Sequence, residues 1–230
     1  MLISAWTRRC VLVILAGFGW SGVGGQAAWA GPKPVQGVDG LVVMEAESTK
    51  SDPGLWVGER ELPGYSGKGY LRFTGNKPMN GPPKSPLGYR FRVDVEGLYY
   101  LHLKAGRADL GQRRDYSNDC WVRLIGDFDA GPNPGDQHGM DAPLEMLKKD
   151  TKFYGGALGK MGWASGNQLD PGGHNNKRVA VYRLKPDETY TLVVSGRSQN
   201  FCLDRIVFRH ESVDVPTAQS DELEPSTTGP

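Results

Sequence analysis

Short runs that alternate strictly between apolar and polar residues constrain this fold more than any other sequence feature. The clearest is residues 89–95, Tyr-Arg-Phe-Arg-Val-Asp-Val. Successive side chains of a strand point to opposite faces, so such a run has one face for a core and one for solvent. Further strand-like runs occupy residues 41–47, 70–73, 98–104, 121–124, 179–184, 190–194 and 201–208. The sequence therefore predicts an all-β protein, a single-domain antiparallel β-sandwich.

Turn-forming residues separate these runs, and helical periodicity is almost absent. The chain has 32 Gly and 16 Pro, and one short helical turn is expected at 143–149. Glu96-Gly97 separates 89–95 from 98–104, and Lys-Pro-Asp-Glu separates 179–184 from 190–194. Each pair of runs predicts a β-hairpin. Two long irregular stretches, 126–150 and 155–177, are typical of functional or flexible loops.

The first 30 residues have the features of an export signal. They contain no Asp or Glu, and Arg8 and Arg9 precede an apolar run. Residues 28–30, Ala-Trp-Ala, resemble a signal-peptidase site. We expect cleavage after Ala30 and a secreted, periplasmic or cell-envelope protein. The alternative, an uncleaved membrane anchor, conflicts with the short length of the apolar run.

Four segments follow from this pattern: a signal peptide (1–30), a Pro/Gly-rich lead-in (31–40), the β-sandwich (41–210) and a tail (211–230). The tail has five acids, no Lys or Arg and no aromatic residue. Such a composition buries little apolar surface, so we expect a disordered acidic tail. The formal net charge is +1, which argues against nucleic acid as a partner.

Two cysteines, Cys120 and Cys202, remain after the export signal is removed. An oxidising compartment permits one disulfide between them, because each lies in a strand-like run and those strands could be neighbours. Two buried free thiols are the alternative, and the sequence leaves both possibilities open.

Three acids carry a possible metal site. Alternation places Glu45 and Glu47 on one face of the first strand, where two like charges repel unless a cation lies between them. Asp204, inside the last apolar strand, is a plausible third ligand for Ca²⁺, which takes several oxygen ligands. Acids that are solvated or paired with Arg are the equal alternative.

A second set combines aromatic rings with amides and charges. Tyr65 and Trp163 each stand among glycines, outside the alternating runs, which suits exposed platforms for the apolar face of a sugar ring. The groups expected to contact sugar hydroxyls are Asn118, Asp119, Arg197 and Asn200. The alternatives are that Trp163 only fixes its loop to the domain and that Arg197 forms a structural ion pair with Asp119.

His174, beside amides in a Gly-rich segment, is a possible catalytic base, but the sequence identifies no catalytic partner for it. No Gly-x-Ser-x-Gly, His-Glu-x-x-His or Cys-x-x-Cys motif is present. We therefore expect a protein without catalytic residues.

Several blocks together resemble carbohydrate-binding modules of the family 6 and family 35 type. The opening Glu45-Ala46-Glu47 and the segment 89–107 are similar to that family's first strand and central strand pair. The blocks 118–123, 195–198 and 201–208 are similar to later segments of such modules. The resemblance implies a galactose-binding-like β-jelly-roll.

The resemblance also implies roles for individual residues. Glu45, Glu47 and Asp204 would hold a structural calcium ion that joins the first and last strands. The sugar site of such modules uses a Tyr, a Trp and an Asn, roles that would fall to Tyr65, Trp163 and Asn200. The two long loops make the match of Trp163 less direct.

The leading hypothesis is a secreted, calcium-stabilised, monomeric module that binds carbohydrate without a covalent step. A structural or protein-interaction domain of the cell envelope is one alternative. A jelly-roll polysaccharide lyase or other glycan-active enzyme, with His174 or a Tyr as base and Arg197 neutralising a uronate, is the other.

Overall fold

The computed structural model describes residues 32–111, 113, 115–135, 140–164, 168–172 and 176–229. The predicted export segment and His174 lie outside the described residues. The compact unit that contains the described residues spans Gly31–Pro230. No helix in this described part of the chain has the length and apolar character needed to cross a membrane.

Nearly all regular structure in the described residues is β. In chain order the strands are β1 (Val35–Gln36), β2 (Leu41–Glu45), β3 (Trp56–Glu59), β4 (Tyr70–Phe73), β5 (Lys84–Arg92), β6 (Gly97–Arg107), β7 (Asp119–Ile125), β8 (Asp129–Ala130), β9 (Met140–Asp141), β10 (Thr151–Tyr154), β11 (Ala157–Leu158), β12 (Met161–Trp163), β13 (Gln168–Asp170), β14 (Arg178–Val179), β15 (Val181–Leu184), β16 (Tyr190–Gly196) and β17 (Cys202–His210). A 3₁₀ turn (Ala46–Ser48) and two single-turn helices, α1 (Leu144–Leu147) and α2 (Val215–Ala218), complete it. Helix α1 lies where the sequence predicts a short turn.

The strands form two sheets, which confirms the predicted all-β sandwich. Sheet I has the order β1-β5-β16-β7-β10-β13-β14-β9. Sheet II has the order β3-β4-β17-β6-β15-β8, with β2 also paired to β17 and with β11 and β12 also paired to β6. The first long strand and the last strand are therefore neighbours, in antiparallel register.

The core lies between the sheets and follows the sequence alternation. On β7, Val122 and Leu124 are buried, whereas Trp121 points to the other face of the sheet and is only half-buried. Across the core, the Phe91 ring of β5 stacks on the Phe208 ring of β17, with centroids 4.4 Å apart. Aromatic contacts of this kind tie the two sheets together.

Both predicted hairpins are wrong. β5 pairs with β1 and β16 in sheet I, whereas β6 pairs with β17, β15 and the short strands of sheet II. In the same way, β15 belongs to sheet II and β16 to sheet I. Each turn therefore carries the chain across the core to the other sheet. Alternation identifies the buried face of a strand, and two strands can share a core from opposite sheets as well as from one.

The disulfide alternative is not realised, since Cys120 and Cys202 are both free and buried. Cys120 lies on β7 of sheet I and Cys202 on β17 of sheet II, so the two strands are not neighbours. Burial raises the pKa of the Cys202 thiol to about 12, which keeps it protonated and unreactive.

The expectation of a disordered tail is wrong for the described residues 211–229. The Ser226 N–H donates to the Val43 carbonyl at 2.8 Å, and the Val43 N–H donates to the Ser226 hydroxyl at 2.9 Å. Ala218 of α2 is fully buried, and Leu223 packs on the same apolar cluster. Two apolar residues and a short run of backbone hydrogen bonds fix the tail to sheet II, although its composition is polar.

Candidate functional site

Trp163 is not an exposed loop aromatic. It ends β12, where it pairs with Lys104 of β6, and its indole N–H donates to the Gln219 carbonyl of the tail at 2.9 Å. The ring packs on an apolar cluster that includes Val43 and Ala218. This agrees with the alternative stated from the sequence, that Trp163 fixes its own segment to the domain.

Tyr65 and Asn200 also have structural partners. The Tyr65 ring lies 6.2 Å from the Tyr70 ring, on the outer side of sheet II. The Asn200 side-chain oxygen accepts a hydrogen bond at 2.9 Å from Arg72, which is itself ion-paired with Glu59 at 2.7 Å. Tyr65, Trp163 and Asn200 are therefore each engaged by other parts of the protein.

Asp119 and Arg197 do meet, together with a hydroxyl that sequence reasoning missed. Asp119, 4% exposed at the start of β7, accepts hydrogen bonds from the Arg197 guanidinium at 2.6 Å and from the Ser198 hydroxyl. The neighbouring Asn118 is half-buried, and its backbone carbonyl accepts the Gly155 N–H at 2.9 Å. Asp119 thus fixes the backbone at 197–198, and Arg197 projects from this anchor.

Arg197 forms one side of a depression of about 180 Å³ on the outer face of sheet I. Trp121, Lys152 and Asp170 form its floor, because Trp121 on β7 pairs with Lys152 on β10 and Lys152 pairs with Asp170 on β13. The rest of the lining comes from residues 149–151 and 171–172. The depression therefore combines an aromatic ring with charges of both signs on rigid, paired strands.

The Trp121 ring is held in place from two sides. Its indole N–H donates to the Gly81 carbonyl at 3.0 Å, and the Arg197 guanidinium carbon lies 5.3 Å from the ring centroid. The Arg197 Nε is buried and has no hydrogen-bond partner among the described residues. The ring and the guanidinium thus form one preorganised wall of the depression.

The charges on the floor are paired. Lys152 Nζ lies 2.5 Å from Asp170, and Arg123 lies 2.6 Å from Asp150. Burial alone would raise the pKa of Asp170, but hydrogen bonds from Lys152 and from the Gly172 N–H outweigh burial and hold it below its usual value. Asp170 is therefore ionised at neutral pH and acts as a hydrogen-bond acceptor.

Sequence reasoning missed Trp121, Lys152 and Asp170 as site residues. The signal for Trp121 was present, since alternation in 121–124 places it on the face opposite the core residues Val122 and Leu124. No sequence signal connects it to Lys152 and Asp170, because that neighbourhood depends on the pairing of β7, β10 and β13.

The acids predicted as calcium ligands converge, but on protein donors. Glu45 accepts from the Arg205 Nε at 2.9 Å and Asp204 from the Ser66 N–H at 3.0 Å, while Glu47 accepts the backbone N–H of residue 68 at 2.7 Å. Burial raises the pKa of Asp204 to about 7, although the Ser66 N–H lowers it. In the described residues no three His, Cys, Asp or Glu side chains are arranged to hold a metal ion. The hydrogen-bond donors that surround these carboxylates do not fit a calcium site.

Comparisons with known proteins give structural likeness only. No protein-family model matches the chain, and no curated protein matches it. A solved family 35 carbohydrate-binding module (CBM35) from Paenibacillus barcinonensis aligns over 74% of this chain and 99% of its own, with 13% identity and a TM-score of 0.42. The chain is similar to that module. The family assignment is therefore one of resemblance.

Larger proteins align in the same way. A GH26-CBM35 β-(1,4)-mannanase of Podospora anserina aligns over 78% of this chain with 14% identity and a TM-score of 0.45. An isomalto-dextranase of Arthrobacter globiformis T6 aligns over 75% with 13% identity and a TM-score of 0.41. The chain spans 29% of the mannanase and 24% of the dextranase. The two-sheet architecture itself rests on the strand order and register given above.

Proposed function

We propose that this protein binds carbohydrate through the depression on sheet I, without a covalent step. The observation that carries the proposal is the row Trp121, Lys152 and Asp170 across three paired strands, closed on one side by Arg197. An aromatic ring offers a surface to the apolar C–H groups of a sugar, and flanking polar groups read its hydroxyls. Strands hold these groups more rigidly than loops would.

The charge pattern favours a neutral sugar. Lys152 is paired with Asp170 and Arg197 with Asp119, so neither of these two cations is free to neutralise a uronate, and the one further cation of the lining, Lys149, is exposed at the rim. Each ion pair nevertheless keeps unused hydrogen-bonding positions, because an ammonium has three donors and a carboxylate about four acceptor sites. A sugar hydroxyl donates and accepts at once, which suits such a mixed surface.

The same pattern supports a non-catalytic role. Asp150 and Asp170 both have cationic partners, and the lowered pKa of Asp170 makes it a poor general acid. The lyase alternative requires His174 or a Tyr as base and a free Arg197; His174 lies outside the described residues, and Arg197 is paired with Asp119.

A structural or interaction role remains a second candidate on one specific observation. Trp163 and the Asp119–Arg197 pair are both engaged within the domain, as expected for a structural unit. This weakens the sugar site predicted from sequence, and it also engages Arg197, which forms one side of the sheet I depression.

We also infer that the protein is exported, on the strength of the charge and apolar pattern of residues 1–30. The compact unit begins at Gly31, the residue after the predicted cleavage position. Mass spectrometry of the protein recovered from the producing cells should give an N-terminus at Gly31, and retention of residues 1–30 would contradict processing.

Affinity electrophoresis tests the proposed site. Purified protein would be run through gels that contain soluble mannan, dextran, xylan or polygalacturonate, after a glycan-array screen. We expect retardation by at least one neutral polysaccharide. Trp121→Ala should weaken binding about 30-fold, for a loss of roughly 2 kcal/mol at a central aromatic contact.

The matched control is Trp163→Phe, which changes a Trp outside the depression and should leave binding unchanged. Binding that survives Trp121→Ala but is lost in folded Trp163→Phe would place the site elsewhere. No binding to any glycan by the parent protein would favour the structural role.

A further inference from the structure

The acids Glu45, Glu47 and Asp204 lie where the first and last strands meet, the position at which the family resemblance implies a structural calcium ion. In this chain two cationic residues share that position. Arg205 of β17 is paired directly with Glu45 of β2 on one side and with Lys104 of β6 on the other. A row of acid, guanidinium and ammonium therefore crosses three adjacent strands.

A β-bulge creates this arrangement. The register between β17 and β6 shifts between Leu203 and Arg205, so Asp204 is the extra residue. Leu203 and Ile206 both pack in the core, which leaves Asp204 and Arg205 between them to point away from it. Asp204 is fully buried and Arg205 is 3% exposed. The bulge thus delivers an acid and a cation to the same buried cluster.

The cation contacts are direct. The Arg205 guanidinium donates twice to one carboxylate oxygen of Glu45, with the Nε at 2.9 Å. Lys104 Nζ lies 3.6 Å from Asp204 and 2.6 Å from Asp221 of the tail. These two cations offset part of the negative charge of the acids and so weaken the attraction of the cluster for a divalent ion.

Several of the remaining acceptor positions face N–H and O–H donors. The Ser66 N–H donates to Asp204 at 3.0 Å, and the Ser66 hydroxyl donates to Glu45 at 2.9 Å. Calcium requires six to eight oxygen ligands with their lone pairs directed at the ion. A backbone N–H directed at a carboxylate takes a lone pair that a metal would need.

The loop that contains Ser66 and Gly67 packs closely against the acids. Gly67 has a φ of +59°, and a Cβ at this position would lie 2.6 Å from a Glu47 oxygen and 3.1 Å from the Glu45 Cγ. The buried atoms of the cluster without a partner among the described residues are the Arg205 Nη1, a donor, and the Glu47 Oε2, an acceptor. Only one carboxylate oxygen of the cluster is therefore buried without a partner among the described residues, whereas calcium needs six to eight oxygen ligands.

We propose that Arg205, assisted by Lys104, supplies the positive charge at the junction of β2 and β17, so that the fold is independent of calcium. The guanidinium is permanently charged and planar, which suits a buried contact with a carboxylate. Removing it should turn the acids into a site that responds to calcium.

Thermal unfolding of the purified protein with EDTA or with calcium tests this. At about 10 mM calcium, roughly tenfold above the weakest dissociation constants of extracellular calcium modules, a real site would raise Tm by about 3 °C or more. We expect no change in Tm, and no calcium bound in equilibrium dialysis. A saturable rise in Tm with one bound calcium would overturn the proposal.

Arg205→Met removes the charge and keeps much of the side-chain volume. We expect it to lower Tm with EDTA and to regain part of the loss with calcium. The matched control, Arg183→Met, changes an exposed Arg on β15 and should do neither. Should Arg205→Met not fold, Arg205→Lys should fold and remain insensitive to calcium; a calcium-dependent Tm in Arg205→Lys would contradict the proposal.

Discussion

His102 should make the stability of this protein depend on pH in a way that one substitution can isolate. The residue is 2% exposed on β6, and its Nε2 accepts a hydrogen bond from the Arg209 Nε at 3.2 Å. Its Nδ1 lies 3.2 Å from the side-chain amide of Gln219 in the tail. Burial, with the charge of Arg209 in addition, lowers the pKa of His102 from 6.5 to about 4.

The direction in which stability changes with pH follows from proton binding. Between pH 6.5 and 4 the unfolded chain holds a proton on His102 and the folded protein does not, so stability falls as the pH falls through this window. The loss is about 2 kcal/mol between pH 7 and pH 5 and about 3 kcal/mol by pH 4. Asp204, with its pKa raised to about 7, has the opposite slope over the same range. The net profile of the parent protein therefore mixes the two effects.

A comparison with His102→Gln separates them. Urea unfolding at pH 7 and pH 5 gives the free energy of unfolding of each protein at each pH. The parent should lose about 2 kcal/mol more than His102→Gln on acidification, since the Asp204 effect is common to both. Equal losses in the two proteins would refute the assignment of a neutral, buried His102.

Three further outcomes are expected. Gly67→Ala should destabilise the fold by about 1–3 kcal/mol, since a Cβ would lie 2.6 Å from Glu47 in a left-handed conformation; equal unfolding free energies by urea titration would contradict this. Cys120 and Cys202 should react with a thiol reagent only after unfolding, and rapid reaction of the native protein would contradict their burial. Deleting 211–230 should lower Tm in calorimetry by several degrees, whereas a truly disordered tail would leave it unchanged.

The sequence predicted the strands and the buried faces well, because both are local properties. Alternation in 89–95 and 121–124 placed Phe91, Val122 and Leu124 in the core. Alternation also placed Glu45 and Glu47 on one face of the first strand, but β2 ends at Glu45 and Glu47 lies in the 3₁₀ turn that follows. Which strands pair with each other is not a local property of the sequence. Both predicted hairpins were wrong because their turns cross from one sheet to the other.

The prediction that Trp163 lies on an exposed loop was wrong for a related reason. Gly-rich surroundings of Trp163 suggested an exposed loop, yet three residues suffice for β12 to pair with β6 beneath the tail. The tail in turn looked disordered by composition, although Ala218 and Leu223 are enough to dock it. Trp121 was visible as an outward residue, but only the sheet order brings Lys152 and Asp170 beside it.

The most direct test of carbohydrate binding on sheet I is an NMR titration of the indole N–H signals with the glycan that gives the strongest retardation. The Trp121 signal should shift progressively with added glycan, because its ring lines the depression. The Trp163 signal should stay in place, since that indole is bonded to Gln219. A shift of Trp163 alone, or of neither signal while the glycan binds, would contradict the proposed site.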